Sequence, residues 1–74
     1  MNIFLSEMQE KWIISVKTGL NYGHIVDVKI DENGQVISFI VENKRLFKGF
    51  KSGEVTFNYS DITKIGKDVI LVNI

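Results

Sequence analysis

Apolar residues in this chain fall into short runs separated by glycine and polar clusters, the pattern of β-strands joined by tight turns. Two β-rich runs, residues 22–30 and 36–43, flank Asp31-Glu32-Asn33-Gly34, and an Asn-Gly pair between such runs is a strong hairpin signal. Asn33 and Gly34 both tolerate positive φ, so the chain is expected to reverse there. In the third strand Ile37, Phe39 and Val41 share one face while Val36 and Ile40 lie on the other, as in a strand covered on both sides, so it is read as central.

Other runs extend the pattern. Ser6-Glu7-Met8-Gln9 has the form of a capping box and predicts one short helical turn. Residues 11–16, with Trp12, Ile13, Ile14 and Val16, predict a mostly buried first strand ended by Lys17-Thr18-Gly19. In the second strand, strict alternation would set His24, Val26, Val28 and Ile30 against Ile25, Asp27 and Lys29. A β-bulge near Val26-Asp27 would instead bring Ile25, Val28 and Ile30 to the core and turn His24 to solvent; this bulged register is preferred. Residues 54–59 alternate, which places Val55, Phe57 and Tyr59 inward. A helical turn at Ser60-Asp61-Ile62, a short strand at 63–65, a reversal at Gly66-Lys67-Asp68 and a last strand at 69–73 complete a meander of about six strands. Its expected form is an all-β small barrel, because closure removes exposed strand edge.

Length leaves room for one domain, residues 1–74. Nine basic residues balance nine acidic ones, and 45% of the chain is hydrophobic, a profile that excludes a disordered polyelectrolyte and implies no global electrostatic partner. The longest apolar runs are about four residues, far short of the roughly 20 that span a bilayer, and the start lacks the character of a secretory signal, so the expected location is cytoplasmic. There is no cysteine, which excludes disulfides, thiolate metal sites and thiol nucleophiles together.

Candidate chemistry is sparse. His24 is the one histidine, and a lone imidazole without a second ligand type or a nucleophile makes neither a metal site nor a catalytic pair. Asp31, Glu32 and Asn33 are better read as a turn than as a calcium loop, since the further oxygen ligands and closing glutamate are missing. Asp27 and Asp61 sit where carboxylates ordinarily accept backbone amides. The one unusual stretch is the basic and aromatic loop carrying Lys44, Arg45, Leu46, Phe47, Lys48, Phe50 and Lys51, with four cations and no acid between residues 44 and 51. It is read either as a lid on the barrel with its phenylalanines tucked in, or as a contact for protein, RNA or an anionic membrane surface.

The residues resemble the PRC-barrel family, shared by the photosynthetic reaction-centre H subunit and the C-terminal domain of the ribosome maturation factor RimM. The likeness lies in Ser6-Glu7-Met8 with Lys11-Trp12-Ile13-Ile14, in residues 22–31, in Gly34-Gln35-Val36 through Ile40-Val41, and most closely in residues 61–72, from Asp61-Ile62-Thr63 to Ile70-Leu71-Val72. Size and that last run look most like the small stand-alone YlmC/YmxH-type proteins associated with sporulation in Firmicutes. Two departures stand out: Phe57-Asn58-Tyr59 replaces the family's usual Ile-Pro-Trp, which puts in doubt any partner contact made through that Trp, although Tyr59 can keep much of the packing and is a candidate partner-binding residue, and Glu10 stands where a glycine is common. The resemblance implies a non-enzymatic binding or adaptor module that acts through protein contacts. The alternative is a ribosome- or RNA-associated assembly factor using loop 44–51. The expected partner is a protein, a homodimer included, with RNA or an anionic membrane surface as the alternative; no cofactor, metal or small-molecule substrate is expected.

Overall fold

The computed structural model describes residues 3–42 and 54–74. In chain order they form α1 (Leu5–Gln9), β1 (Trp12–Ser15), β2 (Ile25–Ile30), β3 (Val36–Glu42), β4 (Glu54–Phe57), a 3-10 turn (Tyr59–Asp61), β5 (Ile62–Ile65) and β6 (Val69–Val72). The all-β expectation, with short helical turns between strands, is met. The strands lie in two three-stranded sheets, β1-β6-β5 and β2-β3-β4.

The meander holds only in part. The run β2-β3-β4 is antiparallel throughout and β5-β6 is a hairpin, but β1 pairs in parallel with β6, from Trp12↔Val69 to Ser15↔Val72. Its other edge is met by residues 20–23, which fold back after Gly19 turns at φ 76°. Ser15 N donates to Leu20 O at 2.9 Å, Tyr22 N to Ile13 O at 2.8 Å and Ile13 N to Gly23 O at 2.8 Å. The first strand is therefore bonded along both sides, and the second strand begins at Ile25 because residues 20–23 are committed to β1.

The bulge in β2 is present. The ladder runs Ile25↔Val41 and then Asp27↔Ile40, skipping Val26, so Ile25 is buried and Val28 packs against the core. A second shift follows, Lys29↔Ser38 and then Ile30↔Val36, which skips Ile37. Ile30 is consequently 56% exposed and Ile37 also faces solvent, contrary to the expected core positions of both. Strand β3 is central, with Phe39 and Val41 buried.

Only glycines have positive φ among the described residues, so the central turn does not use Asn33 in that way. Gly34 carries φ 84°, Gly34 N donates to Asp31 O at 3.0 Å and Asp31 N to Gln35 O at 2.9 Å. This is a three-residue turn closed by one left-handed glycine. A Cβ built on Gly34 meets nothing within 4 Å, so a side chain there is opposed by backbone conformation alone. Gly34→Val is expected to cost about 1–3 kcal/mol and Gly34→Asn distinctly less, since asparagine visits the left-handed region. Urea midpoints decide this, and an unchanged midpoint for the valine variant would refute the assigned strain.

Further corrections concern three ends of elements. Helix α1 starts at Leu5 with Phe4 as its cap and no side-chain cap bond, so Ser6 does not act as the cap. Trp12 and Val16 are exposed, because Ile13 and Ser15 take the inward face of β1. Tyr59 is 71% exposed, because β4 ends at Phe57 and the chain turns before the alternation reaches it. The core draws on both sheets and the helix: Met8, Ile13, Ile25, Phe39, Val41, Phe57, Ile70 and Val72.

Candidate interaction surface

Of the residues singled out for partner contact, Lys44, Arg45, Leu46, Phe47, Lys48, Phe50 and Lys51 lie outside the described residues. Tyr59 lies within them. Its position follows from the short turn that presents it: the Asp61 carboxylate accepts from Asn58 N at 2.8 Å, Asp61 N donates to Asn58 O at 2.9 Å, and Asn73 N donates to Asp61 O at 2.8 Å. The turn is thus fixed at both ends while the phenol ring projects into solvent.

A second aromatic feature was not grouped by the sequence. Trp12 and His24 stack with ring centroids 4.0 Å apart and planes tilted by 35°. His24 Nδ1 lies 2.9 Å from Lys11 O. A carbonyl only accepts, so this contact assigns the proton to Nδ1 and leaves Nε2 as an acceptor in the neutral ring. His24 is half-buried against Trp12, which corrects the expectation that the bulge turns it to solvent. Lys11 ties this strand end to the β5-β6 turn: its ammonium donates to Gly66 O at 2.8 Å and Lys67 O at 2.5 Å, while Trp12 N donates to Asp68 O at 2.9 Å. A lysine spanning two carbonyls of the β5-β6 turn fixes the strand end that carries the indole, whose ring remains 45% exposed. Finding this pair from sequence would have required knowing that residues 20–24 return along β1.

Asp27 and Asp31, like Asp61, serve the backbone. Asp27 Oδ1 accepts from Val28 N at 2.8 Å, and Asp31 Oδ1 accepts from Asn33 N at 2.9 Å and Gln35 N at 3.0 Å. Among the described residues no group of three or more His, Asp or Glu side chains is placed to hold a metal ion, and no buried side-chain polar atom lacks a partner. No helix among them is long and apolar enough to cross a membrane.

Fold and surface together define a class: a small β-rich domain in two sheets that exposes aromatic and aliphatic side chains and whose Asp27, Asp31 and Asp61 carboxylates accept backbone amides. The chain belongs to the PRC-barrel domain family, whose profile matches residues 1–74. It is 39% identical over 71 residues to an uncharacterized protein of Clostridium acetobutylicum, covering 93% of this chain and 82% of that protein. It is 35% identical over 75 residues to the probable sporulation protein YlmC of Bacillus subtilis, covering 97% of this chain and 93% of that protein.

Proposed function

We propose that the protein is a non-enzymatic, cytoplasmic binding module of the sporulation-associated type, acting through protein contacts made by a rigid aromatic surface. The observation that carries this reading is the similarity along nearly the whole chain to a protein named a probable sporulation protein. Exposed Tyr59 and Trp12 support it, since each is held on a hydrogen-bonded strand end or turn, and rigid aromatics supply much contact area for little ordering entropy.

Affinity capture from sporulating cells tests it. Wild type is expected to retain a protein that Tyr59→Ala loses by about 2 kcal/mol of binding, while the exposed site leaves stability within about 0.5 kcal/mol of wild type. Equal capture by both variants would remove Tyr59 from the interface, and capture of nothing above an unrelated bait would refute the reading. A second copy of the chain is one such partner in this proposal, because Val26, Ile30 and Val36 leave apolar surface on the β2-β3 pair. Light scattering at micromolar concentration should then report a dimer mass; a monomer at every concentration would exclude the second copy.

A further inference from the structure

We propose that Asn33 is a site of spontaneous backbone modification and that Asp31 sets its rate. The chemistry needs only water. Gly34 N, on losing its proton, attacks the Asn33 side-chain carbonyl carbon, Cγ. An N–Cγ bond forms, the Cγ–NH2 bond breaks and ammonia leaves with the proton, giving a five-membered succinimide. Water then opens the ring at Cγ to give aspartate, or at the backbone carbonyl to give isoaspartate, with no change in oxidation state. A following glycine offers the least hindered nitrogen for this attack, and residues 32–35 are all exposed to water.

The folded turn opposes the reaction at the atoms that must react. Gly34 N–H is engaged by Asp31 O at 3.0 Å, and Asp31 Oδ1 holds the two flanking amides, Asn33 N at 2.9 Å and Gln35 N at 3.0 Å. Three successive N–H groups are thus gathered on one residue. Ring closure requires Gly34 N to give up its hydrogen bond and Asn33 to rotate about ψ, and both break this arrangement. The Asp31 carboxylate also places negative charge beside a nitrogen that must itself become negative. Modification therefore proceeds from the opened turn, and its rate reads the opening equilibrium. The product places a third acid after Asp31 and Glu32. In the isoaspartate form it also adds a backbone methylene to the turn that sets the β2-β3 register.

The test follows conversion at residue 33 by peptide mapping and mass spectrometry during incubation at mildly alkaline pH. It compares wild type, Asp31→Ala, Asp31→Asn and a free peptide spanning residues 28–38, at a temperature where circular dichroism shows all three proteins folded. The peptide should convert fastest and the folded wild type slowest. Asp31→Ala should be about three- to tenfold faster than wild type, as expected when the hydrogen bonds closing a turn are lost. Asp31→Asn keeps a side-chain acceptor and should stay closer to wild type than Asp31→Ala does. Equal rates for wild type and Asp31→Ala would remove Asp31 from control. Wild type converting as fast as the peptide would show that the turn offers no protection. A peptide that stays unmodified would overturn the site itself.

Discussion

Phe57→Ala is expected to remove about 3–5 kcal/mol of stability, which for a chain of this length approaches the whole of the roughly 4–11 kcal/mol available. The ring is 2% exposed and lies directly across the β3-β4 ladder from Phe39, with centroids 5.3 Å apart in a stacked arrangement. It stands where the last regular residue of β4 meets the core formed by both sheets, so truncation leaves a cavity whose walls belong to paired strands and collapse poorly. Phe57→Leu keeps most of the volume and should cost well under half as much. Equilibrium urea unfolding by fluorescence and circular dichroism measures both. A loss under about 1 kcal/mol for the alanine variant would show that the two sheets do not close around this ring.

The central hairpin was legible because its information is local. Ile25 and Val26 side by side break the strand alternation, and a broken alternation in an otherwise apolar strand is the visible trace of a bulge; the ladder skips Val26 as that trace implied. The second skip, at Ile37, sits beside the same kind of apolar pair, Val36-Ile37, but in a strand read as covered on both faces such a pair needs no bulge to explain it. The parallel pairing of β1 with β6 was not legible at all. It joins residues more than fifty positions apart, no turn sequence lies between them to announce it, and a terminal strand reads the same whether it pairs with its neighbour or with the far end of the chain.

The candidate surface divides in the same way. That Asp27, Asp31 and Asp61 bind backbone amides follows from their places at strand and turn positions, and the structure shows each doing so. Tyr59 read as an inward residue because Val55 and Phe57 precede it in alternation. What turned it outward was the Asn58–Asp61 hydrogen bond, a contact three residues long that competes with strand continuation. Trp12 read as buried on hydrophobicity alone. An indole packed against an imidazole is covered in part and stays in part in water, and hydropathy does not distinguish that from a core position.

Ser15→Ala is expected to cost about 1–3 kcal/mol, a large effect for the loss of one oxygen atom. Ser15 is 1% exposed, and its hydroxyl is fully used: it donates to Ile74 O at 2.6 Å and accepts from Thr18 N at 3.0 Å and Lys17 N at 3.2 Å. Alanine leaves the shape nearly intact and removes a buried hydroxyl that serves three backbone groups, so the penalty comes from lost hydrogen bonds and not from packing. These three partners belong to two structures that Ser15 joins, the turn that returns residues 20–23 along β1 and the segment beyond β6. Loss should therefore spread from Ser15 in both directions. Amide hydrogen exchange should accelerate at Thr18 and at Asn73, whose N–H reaches Asp61 O, while the β2-β3 ladder keeps its protection below global unfolding. Ser15→Thr retains the hydroxyl and should recover part of the loss, whereas Val16→Ser on the exposed face should change little. A wild-type midpoint for Ser15→Ala would show that water replaces the hydroxyl at no cost, and that the parallel β1-β6 pair stands without it.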